Sequence, residues 1–327
     1  MARKRKGKLI NGWVILDKPL GISSSQAVGK VKWLLNAAKA GHGGTLDPLA
    51  TGILPIALGE ATKTVTYAMD GIKTYQFTVR WGEARATDDA EGEVIETSDV
   101  RPSKDQILAA LSQFTGDIEQ IPPAYSAIKV DGKRAYALAR DGQTVELKMR
   151  EVSVHKLELL DDCDAAGANH ASFEVTCGKG TYVRSIARDL AKALGTVGYV
   201  SQLRRTAVGP FNEKHAISLD SLDKLSHIAP PAESVSEITE KLGDILLGVE
   251  TVLDDIPALA LTEQESRSLR PGQAISVLPV ATREPLKGVK QGDVVCAFLE
   301  GQLVALVKVQ GGMIHPVRVL NLVETKE

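Results

Sequence analysis

Cysteine is scarce in this chain: Cys163, Cys177 and Cys296 are the only three in 327 residues. They are far apart and form no Cys-x-x-Cys pair, which argues against both a zinc site and a disulfide framework. Aromatic residues are few, at 4%. No uninterrupted apolar run reaches the roughly 18 residues that a membrane-spanning helix needs. The basic opening, Ala2 to Lys8, is followed by no apolar core of the kind a secretory signal has. A cytoplasmic protein without a membrane span is therefore expected. Two glycine-rich signatures are also missing. No Gly-x-Gly-x-x-Gly dinucleotide fingerprint is present around the glycine-rich stretch described below. Gly178-Lys179-Gly180-Thr181 falls short of a phosphate-binding loop, because Phe173 stands where the leading glycine belongs and Gly180 follows the lysine.

What the chain does have is length for two domains and an ordinary hydrophobic content of 43%. Its net charge of −2 is unevenly spread: residues 1–215 hold 29 Lys/Arg against 25 Asp/Glu, and residues 216–327 hold 10 against 16. A basic excess in the first part suits a polyanionic partner, although many solvated surfaces share it.

The richest stretch is Gly41 to Gly52, with four glycines, one histidine, one proline and one carboxylate. Glycine loses more backbone freedom on folding than any other residue, so four in twelve positions imply a sharp path or a close approach to a ligand. Asp47 directly precedes Pro48, which drives it into an extended or turn conformation. A carboxylate on such a turn suits catalysis; it suits a plain surface turn as well.

Taken in order, Gly12 to Leu16 reads as a buried strand. Ser23 to Ser25 caps a helix with Val28, Val31, Leu34 and Leu35 on one face. A short apolar run, Ile56 to Leu58, follows Pro55. Thr74 to Trp81 alternates as a half-buried strand with Tyr75, Phe77, Val79 and Trp81 on one side. Residues 82–99 read as an acidic loop containing Asp88 and Asp89. Pro102-Ser103 caps the next helix. Residues 117–141 combine Pro122-Pro123 with Lys129, Lys133, Arg134 and Arg140, either a basic arm or an exposed hairpin without function. Val152 to Leu160 and Ser172 to Cys177 are strands. Val183, Ile186, Ala187, Leu190, Ala191 and Leu194 then give a helical stripe ending at Gly195. Arg184 and Arg188 lie off that stripe near the helix start, where the dipole does not favour a cation; an acidic partner or a solvated face would account for them. Residues 238–252 have a helical pattern. From Ala258 onward one short helix and four short strands make a small β module, with the boundary near Asp254 and a tight turn at Glu300-Gly301.

Six of these segments closely resemble the TruB family of bacterial tRNA pseudouridine(55) synthases. They are LDKPLGISS (16–24), AGHGGTLDPLATGILPIALGEATK (40–63), KTYQFTVRWG (73–82), GDIEQIPPAYSAIKVDGKRAYALAR (116–140), GKGTYVRSIARDLAKALG (178–195) and LRR (203–205). The resemblance implies a mixed α/β (α+β) catalytic domain over residues 1–253, built on a bent, mainly antiparallel sheet, and a β-rich PUA-type module over 254–327. It implies an isomerase that flips a T-loop uridine of tRNA, cleaves its N1–C1′ bond and rejoins the base through C5. No cofactor, metal or guide RNA is implied, and a monomer is expected. On this resemblance Asp47 is the catalytic aspartate, Tyr75 stacks on the base and takes the C5 proton, and Arg184 pairs with Asp47. Asp89 is associated with Arg184, Tyr182 lines the pocket, and Lys18 with Pro19 supports the floor. His42 fills the gap left by the extruded nucleotide. Lys129, Lys133 and Arg134 of the arm, with Leu203, Arg204 and Arg205, are expected to contact RNA. Gly43, where many relatives carry Thr, is expected to alter loop stiffness. From the residues alone, Tyr75 reads as core and His42 as a polar surface residue.

Two other functions stand beside the isomerase. An RNA-binding tRNA-folding chaperone would need no carboxylate facing phosphates. A glycoside hydrolase needs two carboxylates flanking one bond, for which only Asp88 and Asp89 are available as partners.

Overall fold

The computed structural model describes residues 7–126, 129–130, 133–135, 147–160, 169–227, 234–278 and 289–322. The chain opens with β1 (Gly12–Lys18), α1 (Ser24–Leu34), β2 (Ala40–His42), β3 (Ala50–Leu58), α2 (Val65–Asp70) and β4 (Lys73–Trp81). Next come β5 (Glu83–Arg85), β6 (Val94–Thr97), α3 (Lys104–Ala110), β7 (Gly116–Gln120) and the two-residue strands β8 (Lys129–Val130) and β9 (Lys133–Arg134). β10 (Arg150–Leu159), β11 (His170–Cys177), α4 (Val183–Ala193) and β12 (Gly198–Val208) follow, then β13 (Phe211–Asn212) and β14 (Ala216–Ser218). α5 (Leu219–His227), α6 (Val235–Leu242) and β15 (Leu246–Leu247) complete the larger part.

Among the described residues the main sheet has eleven strands, eight of them in the order β14-β1-β3-β12-β4-β11-β10-β7. Its pairings are antiparallel except β1 with β14 and β3 with β12. The expected mixed, mainly antiparallel sheet is what forms. β4 alternates as its sequence predicts, with Phe77, Val79 and Trp81 buried. α4 packs Val183, Ile186, Ala187, Leu190 and Ala191 against that face, and full burial of a side chain such as Ile186 or Leu190 is worth about 1.5–3 kcal/mol. α1 begins with a capping box in which Ser23 and Gln26 satisfy each other's backbone N–H groups.

Several local expectations are corrected. Residues 198–208, left without a strand by the sequence reading, form β12 at the centre of the sheet. Its pairing with β3 and β4 comes from distant segments, which local periodicity does not encode. β3 starts at Ala50 rather than after Pro55, which sits inside the strand. The acidic 82–99 loop contains a β5–β6 hairpin. The 238–252 pattern breaks at Gly243, whose positive φ of 43° ends α6.

The C-terminal part has β16 (Ala258–Ala260), α7 (Glu263–Leu269), β17 (Ile275–Ser276), β18 (Val294–Leu299), β19 (Gln302–Gln310) and β20 (Met313–Val319), in the sheet order β16-β18-β19-β20-β17. Glu300 and Gly301 make the β18–β19 turn with φ of 50° and 80°, a conformation that suits glycine at the second position. This sheet is not strung on a bare linker. Cys296, Leu303, Leu306 and Leu320 share one core with Trp13, Ile15, Val249 and Leu253. Lys63 Nζ also donates to Val319 O at 2.8 Å, and Asn321 N donates to Glu60 Oε2 at 2.6 Å.

Candidate active site

β2 and β3 pair antiparallel, His42 opposite Ile56, so the glycine-rich stretch is the connection of a wide hairpin. Asp47-Pro48-Leu49-Ala50 closes as a turn with Ala50 N donating to Asp47 O at 3.0 Å, and proline suits its second position. The turn is pinned from three sides. Ser24 Oγ both donates to Leu46 O (2.9 Å) and accepts from Leu46 N (2.7 Å). Gly21 N donates to Pro48 O at 2.9 Å. Lys18, fully buried, donates to the carbonyls of Pro19, Ile22 and Pro48 at 2.9, 2.8 and 3.4 Å. Burial pushes its ammonium down to about 8, against the favourable pull of Asp47. Lys18 thus ties the turn to the end of β1.

Arg184 comes to this turn from the first turn of α4. Its Nη2 lies 2.8 Å from Asp47 Oδ2, and its Nη1 lies 3.1 Å from Asp89 Oδ2. The same two nitrogens donate to Thr87 O (2.9 Å) and Tyr125 O (3.0 Å). Arg184 is off the apolar stripe yet only 6% exposed, so the acidic-partner reading holds and the solvated-face reading does not. Asp89 is buried as well and takes the Thr87 hydroxyl and Glu91 N on its other oxygen. Asp47 is the open member, its side chain 44% exposed. A cleft lined by Asp47, Leu49, Asp89, Arg184, Ser201 and Leu203 lies here. A larger cleft between β7 and α4, lined by Gln113, Glu119 and Asp189 among others, holds none of the candidate catalytic residues.

Tyr75 is half-buried on β4, packed where two hydrophobic clusters meet. Burial raises its phenol, and the nearby charge of Asp47 is among the influences on it. His42 is partly exposed, with Nδ1 unpartnered and its imidazole shifted down by burial and then by Arg205, so it is neutral at physiological pH. Tyr182 is the N-cap residue of α4, under the Arg150 guanidinium at 4.9 Å.

Arg204 and Arg205 depart from the expected RNA contact. Arg204 grips Asp17 with both Nη atoms (3.0 and 3.1 Å) and reaches Glu213 at 2.7 Å, so its charge is already matched. Arg205 is 1% exposed and offers no phosphate a surface. Alternation along β12 turns neighbouring side chains to opposite faces, which a bare Leu-Arg-Arg run conceals. Leu203 lines the cleft beside Asp47. Lys129, Lys133 and Arg134 have paired backbones, and their side chains lie outside the described residues. Gly43 has an ordinary φ, and the reason for glycine there is space: a Cβ would lie 2.8 Å from Ala68 Cβ. Close packing, not loop stiffness, explains the residue.

Sequence reasoning missed Gln120. Its side-chain amide donates to Tyr182 O (3.1 Å) and accepts from Tyr182 N (2.8 Å), fixing the start of α4 from the base of the arm. No local signal marks it, because its partner is 62 positions away. Among the described residues no group of three or more His, Cys, Asp or Glu is placed to hold a metal ion.

The chain that carries this exposed aspartate, on a pinned turn and held by a buried arginine, matches a known family. The TruB-family pseudouridylate synthase N-terminal domain matches residues 32–183, and the tRNA pseudouridylate synthase B C-terminal domain matches 184–254. The chain belongs to the TruB family. Its relatives include the tRNA pseudouridine synthase B of Rhodospirillum rubrum, 54% identical over 98% of this chain and all of that protein. That of Caulobacter vibrioides is 51% identical with the same coverage. Among solved structures, a Cbf5-Nop10-Gar1 complex aligns with a TM-score of 0.72 at 27% identity, over 95% of this chain and 85% of that one. An H/ACA RNP bound to a substrate RNA containing 2′-deoxyuridine aligns at 0.71 and 25%, over 98% and 91%. As a TruB-family member the chain is an enzyme, an isomerase. The family matches meet at Val183/Arg184, so the Asp47–Arg184 contact bridges them; the β module after residue 258 lies beyond both.

Proposed function

We propose that this TruB-family enzyme converts the T-loop uridine at position 55 of tRNA to pseudouridine, with Asp47 as the group that acts on the sugar. The observation that carries the reading is the 2.8 Å contact between Arg184 and an Asp47 that remains open to the cleft. The guanidinium holds the carboxylate aimed when a base enters and excludes water. An ionised Asp47 has the electrons to attack C1′ or to take a proton from C2′; either breaks the N1–C1′ bond. The uracil then turns and rejoins through C5, with Tyr75 receiving the C5 proton. A uridine stacked in a folded loop must first be extruded, at about a few kcal/mol, and neutral His42 at the rim fills the vacancy. The stem is held by shape and phosphate contacts, from the 117–141 arm and a PUA-type module over 254–327. The enzyme works as a cytoplasmic monomer on the T-stem-loop without a guide RNA.

Neither alternative suits the site. Asp47 and Asp89 share one guanidinium, so they do not flank a bond as a glycosidase pair does. A chaperone that only binds gains nothing from a half-exposed carboxylate facing phosphates. The test is incubation of purified protein with an unmodified tRNA transcript, with pseudouridine mapped by carbodiimide-stop primer extension. A stop at the T-loop uridine is expected; its absence at high enzyme would overturn the reading.

A further inference from the structure

Arg205 is a buried cation that pairs with no carboxylate among the described residues. It donates from Nε to Ile53 O at 2.8 Å, from Nη2 to Gly44 O at 3.1 Å and from Nη1 to Thr45 O at 3.4 Å. One guanidinium therefore holds the Gly44–Thr45 part of the glycine-rich loop to β3. The backbones are equally close: Arg205 is in register with Gly52, where a Cβ would stand 2.2 Å from Arg205 O, and on the other side with Tyr75. Side chains of residues in register across antiparallel strands project to the same face. The guanidinium accordingly lies on the same face of the sheet as the Tyr75 phenol, on the neighbouring strand. Burying an unpaired charge is expensive, and retaining one here needs a purpose beyond packing.

We propose that Arg205 is a positioning residue for Tyr75, locking the phenol and the Asp47 loop into one unit and supplying the positive charge that lets the phenol act as a base toward C5. This rests on the reading of Tyr75 given above. After the C5–C1′ bond has formed, C5 carries both a hydrogen and the sugar. The C5–H bond then breaks, its electron pair restores C5=C6, the N1=C6 pair moves to N1, and N1 takes a proton from water. The C5 proton goes to the Tyr75 oxygen. A neutral phenol has no capacity for that proton, whereas a phenolate does. The groups facing the phenol are Arg205 from β12, Cys177 from β11 and Asp47 from the loop, with Lys73 two positions away on β4. Burial raises the phenol; Arg205 acts against it, while Cys177 and Asp47 add to the rise. The Cys177 thiol is itself pushed up to about 11 and is neutral at pH 7, which leaves Arg205 against Asp47 as the charges that matter.

The experiment compares Arg205→Gln and Arg205→Lys with the native chain. Tyr75 ionisation is read in ligand-free protein as the ultraviolet difference between each form and its Tyr75→Phe counterpart. Single-turnover rates on tRNA transcript are read across pH. With Arg205→Gln the Tyr75 midpoint should rise by about one unit or more, and the rate near pH 7 should fall about tenfold or more, the deficit shrinking as pH rises. Arg205→Lys should lie between. An unmoved midpoint, or a deficit equal at every pH, overturns the proposal and leaves Arg205 as a loop brace only. Should neither variant fold, the native chain carrying 3-fluorotyrosine, whose phenol is more acidic, must show its rate–pH limb displaced to lower pH; an undisplaced limb overturns the proposal too. Failure of the native chain to form pseudouridine would instead overturn the function, with the ligand-free titration still reporting on Arg205 and Tyr75.

Discussion

Arg184 holds Asp47 through one nitrogen and Asp89 through the other, at 2.8 and 3.1 Å. The planar fork thus spans two carboxylates rather than gripping one at two points. Asp89 in turn fixes the arginine from the β5–β6 hairpin, and Tyr125 O ties it to the base of the arm. Three segments distant in sequence are coordinated by one side chain.

Lysine has one nitrogen where this arrangement needs two. Arg184→Lys should therefore lower the single-turnover rate by about 100-fold or more, with tRNA affinity changed only a few-fold. Arg184→Ala should be no milder in rate. It should also lose about 3–5 kcal/mol of stability by leaving Asp89 buried and unpaired. Single-turnover kinetics, filter binding and urea melts separate these effects. Normal chemistry with weakened, more salt-sensitive binding in the lysine variant would mean that Arg184 serves phosphate instead.

Asp47→Asn keeps shape and removes charge. Turnover should fall by at least about 10³-fold, as for loss of a reacting group, while tRNA binding persists because affinity comes from elsewhere on the surface. Near-native turnover would sink the assignment of Asp47.

His42→Ala should weaken activity without eliminating it, by about 10- to 100-fold, since a vacancy left in the RNA costs about a few kcal/mol. The imidazole also makes a prediction about pH. Its folded value is shifted below 6.5, by burial first and Arg205 second. The unfolded chain then binds its proton first as pH falls, so stability is lost from about pH 6.5 down through the folded value. His42→Gln should flatten that part of the stability–pH curve; an identical slope would contradict it.

Gly43→Thr should destabilise the fold by about 1–3 kcal/mol, the usual effect of overpacking, because a Cβ meets Ala68 Cβ at 2.8 Å. Adding Ala68→Gly should recover most of the loss. Thermal melts of both single variants and the double variant give the coupling directly.

Removal of residues 254–327 strips Leu303, Leu306 and Leu320 from Trp13, Ile15 and Val249. The shortened chain should therefore melt well below the full one or aggregate, rather than behave as an intact enzyme of lower affinity. A truncated protein with unchanged melting temperature would show the shared core to be dispensable.

What the sequence determined by itself was local. The capping signal at Ser23, the alternation of Thr74 to Trp81, the helical stripe after Tyr182 and the Glu300-Gly301 turn each follow from a few adjacent residues, and each forms. The resemblance of six segments pointed to Asp47, Tyr75 and Arg184, of which the fold brings Asp47 and Arg184 into contact. Tertiary structure decided which charges face inward. Arg204 and Arg205 are adjacent and chemically alike, yet one meets Asp17 and Glu213 at the surface while the other is sealed under the loop. That difference depends on β12 pairing with β3 on one side and β4 on the other, and such pairing is set by segments more than a hundred positions away. Gln120 and Ala68 were invisible for the same reason: what each does is defined by a partner that only the folded chain brings within contact.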